Sequence, residues 1–535
     1  LKLRVMLVML CLLGVVTTLV LAARACDEIS DCGTCVNHTR FWVHNCYWCE
    51  IDAACHSIGS FESACTPLRT SDSCISKSDV STCSKRSATE CNARQHLKAR
   101  QVHLSLAGPD AMRVAWKTSA DKPKHMEVIY SVNMTLQRGL SVAVERSVQY
   151  LPNQGGHGWH HTAKLEGLKP GTAYQYRIVC DGVTSRYRTF RTADAGRSEA
   201  TFLVLGDMGF SDNGEAVASR MRMEALKASA DVVLHAGDVG YADDSFLHFP
   251  CTGEFCYEAV YDGYMEWIEN VTDGKPYMVA VGNHESECHS PACQASSGIK
   301  KSLSNFSAYN ARWAMPSKES GGVANMWYSF DYASVHFVVV NTETDFPDAP
   351  EADFGDAGGT LGAPAGHFAA DGAYVKWLEA DLKEAQTKRG ERPWIVAMGH
   401  RPWFQRNGTR RDDAESVRKA HAELFEKYGV NLYLTGHIHS YHRLLPINGN
   451  HAVPTIVTGG AGCDEFSSDK RHTGEWDEHG RNSLWDFRYY NKDTQIGMLR
   501  ASKKTLSFSA IASSTGTIFD VLTLKAPDPD PLTYV

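Results

Sequence analysis

"TGHIHSYHR", Thr435 to Arg443, decides how this chain is read. Two histidines flank Ile438, directly after a glycine that closes the apolar run Leu432-Tyr433-Leu434. Alone, the tripeptide is weak evidence, and His437 and His439 read as two ordinary histidines at a strand end sooner than as two metal ligands. In an extended segment residues two apart point the same way, so Ile438 can turn from whatever the histidines face. The choice rests on whether other strands of the chain end in the same manner.

They do. "ATFLVLG", "DVVLHAG", "PYMVAVG", "VHFVVVN", "PWIVAMG" and "VNLYLTG" are strand-length apolar runs. They alternate with segments of helical period such as "EAVASRMRMEALKAS", "AYVKWLEADLKEA" and "AESVRKAHAELFEKYG". That alternation predicts an α/β domain with largely parallel sheets, whose chemistry gathers beyond the carboxyl ends of the strands. Gly206 precedes Asp207, Gly237 precedes Asp238, and Gly282 precedes Asn283 and His284. Gly399 precedes His400, and Gly436 precedes His437 and His439. Carboxylate, carboxamide and imidazole without cysteine suit iron, zinc or manganese rather than an iron–sulfur or structural zinc centre. The donors outnumber the needs of one ion, and a shared carboxylate between two ions accounts for the excess.

The segments "GDMG", "GDVGYAD", "GNHE", "MGHRPW" and "GHIHSYHR" occur in the order found in binuclear metallophosphoesterases. With Tyr241 three residues after Asp238, the chain resembles a purple acid phosphatase. The resemblance implies a four-layer αββα metallophosphoesterase domain over residues 198–525. It implies Fe(III) held by Asp207, Tyr241 and His439, and a divalent ion (zinc, manganese or iron) held by Asn283, His400 and His437. Asp238 would bridge them. Metal-bound hydroxide would attack phosphorus in a phosphate monoester, with His284 assisting the leaving alcohol. Asn283 and His284 also fall at substrate-contacting positions, and Glu285 reads as a loop-fixing residue. Plant-type enzymes have Glu at the position of His442, for which a structural role is read here. They also carry two further histidines after the one matching His400. Here "HRPWFQRNGTRRDD" has neither; Arg406, Arg410 and Arg411 read equally as a source of a cation for phosphate, Arg410 being preferred for the substrate, and as a solvated basic face. A phosphodiesterase or nucleotide pyrophosphatase on the same site, or a non-catalytic extracellular binding protein, are the alternatives.

Residues 98–195 form a different region. "VHLSL", "MRVAWKT" and "AYQYRIV" alternate with period two, and the region resembles the fibronectin type III-like sandwich that precedes plant-type purple acid phosphatase domains. "HGWHH", His157 to His161, lacks a nearby carboxylate and reads as an exposed loop.

The chain of 535 residues, 43% apolar and 22% charged, carries a mildly negative balance and no basic stripe, which excludes nucleic acid as the expected partner and leaves small phosphorylated substrates. The apolar run Val5–Ala23 and the small residues around Ala25 read as a secretion signal over 1–25, or else an uncleaved membrane anchor. No later segment is apolar enough to span a bilayer. Of 17 cysteines, ten lie between Cys26 and Cys91. Residues 26–92 therefore read as a small disulfide-rich module, similar to the plexin–semaphorin–integrin module. Local disulfides are expected at Cys251/Cys256 and Cys288/Cys293, while the pairing of Cys180 and Cys463 stays open. Asn37, Asn133, Asn270, Asn305 and Asn407 begin glycosylation sequons, consistent with a secreted or lumenal protein.

Overall fold

A computed structural model describes residues 97–526, apart from 120–121, 133–138, 152–157, 195, 211–214, 248–254, 287, 351–362, 405–413, 447–452, 464 and 467–484. Before residue 97 it describes only the short strands Thr39–Arg40, Val43–His44, Cys46–Cys49 and Ala54–Ser57. The expected signal, most of the cysteine-rich module, Asn37, Asn133, Asn407 and Arg406, Arg410 and Arg411 lie outside the described residues.

The catalytic region is built on two sheets. The first has the order β3-β2-β1-β11-β12-β13, where β1 is Ala200–Leu205, β2 Val232–His235, β3 Tyr277–Val279, β11 Gln495–Ala501, β12 Thr505–Ala512 and β13 Ile518–Lys525. The second has the order β4-β5-β6-β7-β9-β8-β10, where β4 is Tyr328–Tyr332, β5 Val335–Val339, β6 Trp394–Met398, β7 Leu432–Thr435, β8 Tyr441–Pro446, β9 Thr455–Thr458 and β10 Trp485–Tyr490. Parallel pairing joins β1, β2 and β3 in one sheet and β5, β6, β7 and β9 in the other. Antiparallel strands complete one side of the first sheet and both edges of the second, so the sheets are mixed rather than parallel throughout. The inner faces meet through Phe202, whose ring lies 4.8 Å from Phe337 and 5.7 Å from Tyr332. Such strands are buried on both faces, which is why they read as continuous apolar runs. Helix α1 (Glu215–Leu226) covers the first sheet, while α3 (Ala373–Thr387) and α4 (Glu415–Lys427) pack together over the second.

Residues 100–191 form a β-sandwich. One sheet pairs Arg100–Leu106, Met112–Thr118, Trp159–Leu165 and Arg146–Val148; the other is centred on Ala173–Cys180. Every residue of Met112–Thr118 is buried, because one face meets the sandwich core and the other meets α2 (Tyr257–Thr272) of the catalytic region. The expectation of an exposed "HGWHH" loop is corrected here for its last residues. His160 and His161 lie in the strand Trp159–Leu165 and are 6% and 1% exposed. His161 is held between Thr118 Oγ1 at 2.8 Å and Ser147 Oγ at 2.9 Å. Burial pushes both imidazoles below their ordinary pKa, so they are neutral core residues. His157 lies outside the described residues.

Candidate metal centre

Five parallel strands end at one edge, three from the first sheet and two from the second. Their exits carry the seven expected metal donors and His284, while Arg410 lies outside the described residues. β1 leads to Asp207, β2 to Asp238 and Tyr241, and β3 to Asn283 and His284. β6 leads to His400, and β7 to His437 and His439. The turns that aim these groups are strained: Asp207, Asp238, Tyr241 and His437 have φ of +57°, +55°, +49° and +67°. Left-handed backbone at residues other than glycine persists where a functional arrangement demands it. Two of the preceding glycines are required by close approach. A Cβ on Gly282 would strike the Asp238 carboxylate, and one on Gly436 the Asp207 carboxylate.

The donors fall into two overlapping groups. In the first, the Tyr241 hydroxyl lies 3.2 Å from Asp207 Oδ1 and 3.0 Å from His439 Nε2. In the second, His400 Nε2 lies 3.0 Å from Asn283 Oδ1, and the ring of His437 stands 5.0 Å from that of His400. Asp238 belongs to both, with Oδ2 at 2.9 Å from His400 Nε2 and 3.4 Å from the Tyr241 hydroxyl. The supports behind these groups are specific. His400 Nδ1 donates to the Ala236 carbonyl at 2.9 Å, which turns Nε2 toward the centre. The Glu285 carboxylate accepts from the backbone N–H groups of Gly282, Asp238 and Val239 at 2.7, 3.0 and 2.7 Å, fixing two loops together. Ile438 turns away to pack near Leu444 and Val457. His442 bonds Ser440 at 3.0 Å, and its ring lies 5.4 Å from that of Tyr489, tilted by 57°.

Burial raises Tyr241 well above the ordinary phenol range, and Asp207, Cys463 and Asp238 push it the same way. Burial pushes His400 down, but the Asp238 carboxylate outweighs it and lifts the ring to about 9. His439 rises to about 11 against its burial, through Asp207 and Cys463. Carboxylates, phenol, carboxamide and imidazoles, converging and mostly buried, fit a pair of hard-to-borderline metal ions.

Several neighbours were not singled out by sequence reasoning. Asp243 Oδ2 accepts from His284 Nδ1 at 2.8 Å. The Arg401 guanidinium, held by Glu343 at 2.8 Å, reaches within 3.4 Å of His437 Nε2. Glu465, half-exposed, approaches His284 Nε2 at 4.0 Å and His439 Nδ1 at 3.8 Å. Cys463 is a free, buried thiol that interacts with both Tyr241 and His439, and its backbone N–H donates to the Asp207 carbonyl at 3.1 Å. The available signal was β9 and its exit "TGGAGC", which repeats the strand-then-glycine pattern with the reactive residue further on. Cys180 is also free and buried, in the sandwich.

Residues 200–441 match the calcineurin-like phosphoesterase family, and residues 99–192 match the N-terminal domain of purple acid phosphatases. Purple acid phosphatase 22 of Arabidopsis thaliana is 30% identical to the chain over 375 residues, covering 69% of the chain and 74% of that relative. The chain belongs to the purple acid phosphatase family. Acid phosphatase type 7 of Homo sapiens is 31% identical, covering 68% of the chain and 78% of that protein. In fold, this purple acid phosphatase is similar to a purple acid phosphatase from seeds of yellow lupin (Lupinus luteus), with a TM-score of 0.59 at 18% identity over 80% of the chain and 74% of the lupin protein.

Proposed function

We propose that the chain hydrolyses phosphate monoesters at acid pH, with Fe(III) held by Asp207, Tyr241 and His439 and a divalent ion held by Asn283, His400 and His437. The observation that carries this reading is the position of Asp238, whose Oδ2 reaches both donor groups and is placed to bridge them. Tyr241 belongs with the ferric ion because a phenolate is a hard, anionic donor. Bound ions supply positive charge for the phosphoryl oxygens and lower the pKa of water, so that a nucleophile exists at acid pH.

The chain's own residues supply the rest. Asp243 holds His284 through Nδ1 and orients the ring, leaving Nε2 to pass its proton to the departing alcohol oxygen. The 4.2 Å stacking distance to Tyr241 and the bond from the His284 N–H to Asp238 Oδ1, 3.0 Å, tie that imidazole to the donor groups. Arg401 brings a guanidinium to the His437 side, where it suits a phosphate oxygen and replaces histidines absent from "HRPWFQRNGTRRDD". Arg410 remains a second candidate for that role.

Passage through a secretory route fits the same reading. Cys288 and Cys293 are disulfide-bonded as expected, and Cys256 is disulfide-bonded while Cys251 lies outside the described residues. Asn270 and Asn305 are exposed. Among the described residues no helix is long and apolar enough to cross a membrane. The test of activity compares p-nitrophenyl phosphate, its bis-ester and a nucleotide anhydride at about pH 5. Faster monoester hydrolysis supports the proposal, and a faster diester or anhydride reaction transfers the site to the phosphodiesterase or pyrophosphatase reading.

A further inference from the structure

Beside the donor groups stands a second cluster, in which Asp243 and His284 of the proposed reaction meet two residues that reaction does not use. Asp243 and Asp244 lie just after Tyr241, while His289 sits on the loop closed by the Cys288–Cys293 disulfide. His289 Nδ1 is 2.7 Å from Asp244 Oδ1 and 3.1 Å from Asp243 Oδ2. His284 Nδ1 is 2.8 Å from the same Asp243 Oδ2. One donor atom from each of the four residues lies within 4.8 Å of every other, the same limit that contains Asp238, His400 and His437.

Hydrogen bonding alone leaves this cluster unbalanced. Asp243 Oδ1 and Asp244 Oδ2 are buried and accept no hydrogen bond among the described residues. The two residues are 1% and 3% exposed. Asp244 Oδ2 faces into the group, 3.9 Å from His284 Nδ1, too far to be bonded to it. Among the described residues neither carboxylate pairs with a lysine or arginine. A buried, charged oxygen without a donor is costly, and a cation removes that cost. His289 is partly exposed, so the cluster is open to solvent on one side.

We propose that Asp243, Asp244, His284 and His289 form a third metal site, selective for a zinc-class divalent ion. Two imidazole nitrogens and two carboxylate oxygens are the donors of such ions, whereas calcium and magnesium prefer oxygen alone. The site is inhibitory. Coordination through Nδ1 takes His284 from Asp243 and locks the ring, and turnover falls. This consequence rests on the role of His284 proposed above; the binding claim does not.

The test uses the metal-loaded full chain with added zinc, and two single variants, Asp244→Asn and His289→Gln. Metal content per chain is counted after equilibration with buffered free zinc, and hydrolysis of p-nitrophenyl phosphate is measured on the same samples. Expected is one more ion per chain in the wild type than in either variant. Added zinc lowers kcat about tenfold or more in the wild type and less than about twofold in the variants. Without added zinc the variants match the wild type. Equal metal counts in wild type and variants overturn the proposal. An extra ion without inhibition keeps the site and removes its inhibitory role. Failure of the phosphatase reading is seen separately, as absence of hydrolysis before zinc is added.

Discussion

Two buried polar clusters in this molecule are made from the same kinds of residue and do opposite things. One joins the β-sandwich to the catalytic region. Lys117 Nζ reaches Asp262 at 2.6 Å and Glu258 at 3.1 Å, and Arg312 Nη2 reaches Glu258 at 2.9 Å and Asp262 at 2.8 Å. Arg312 also donates to Tyr150 and Gln101, and its guanidinium stacks 4.3 Å from the Tyr261 ring. Two cations meet two anions, each bonded from several sides. The other cluster is the candidate metal centre, where Asp207 and Asp238 meet imidazoles, a phenol and backbone N–H groups, Glu285 meets backbone N–H groups, and Arg401, which reaches His437, is already paired with Glu343. A cluster that carries its own counter-charges holds structure together. A cluster that must import them is a site.

Substituting one member in each cluster separates the two roles. Asp238→Asn removes the shared donor, and phosphatase activity is expected to fall by about a thousandfold or more, with loss of bound metal. The melting temperature of the metal-free protein stays level or rises, since a crowded carboxylate is gone; a large drop would assign Asp238 a structural role. Arg312→Met does the reverse. Leaving Lys117 as the one cation for Glu258 and Asp262 is expected to cost about 3 kcal/mol in denaturant unfolding, while metal content of the folded fraction is unchanged. His284→Asn is expected to lower kcat about a hundredfold with the two ions of the centre retained when no zinc is added, which places the residue beside those two ions and not among their ligands. Equal loss of metal would place it among them.

The smallest effect concerns a charged group outside both clusters. His336 bonds Asp331 at 2.8 Å and Asp381 at 3.0 Å. Burial pushes the ring down, but the two carboxylates outweigh it and raise it to about 9. Because the folded value exceeds the ordinary one of about 6.5, the stabilisation is complete below about pH 6.5 and is lost as pH rises through about 9. His336→Gln should therefore cost on the order of 2 kcal/mol at about pH 6 and much less at about pH 10. A pH-independent cost would assign the loss to packing.

The site was more legible than its surroundings, for a physical reason. Each expected donor follows closely on a strand-ending glycine, so local sequence carries both the geometry and the chemistry. "GHIHSYHR" follows β7, which is parallel to its neighbour β6 and ends at the shared edge. Helix α2 was not legible. Its "YEAVYDGYMEWIENVT" buries Glu258 against Lys117 and Arg312, contacts that join residues 141 and 54 positions apart. His160 and His161 were misplaced for the same reason, since the covering of their strand on both faces comes from distant segments. Cys463 follows its strand at a distance that the strand-end pattern does not mark.

The central claim, that two imported ions replace missing counter-charge at the strand ends, is tested most directly by counting metals per chain alongside the visible spectrum, in wild type and Tyr241→Phe. The account expects two ions per chain, iron being one, and a broad visible band that disappears in the variant. A protein that hydrolyses p-nitrophenyl phosphate at full rate with less than one ion per chain would contradict it.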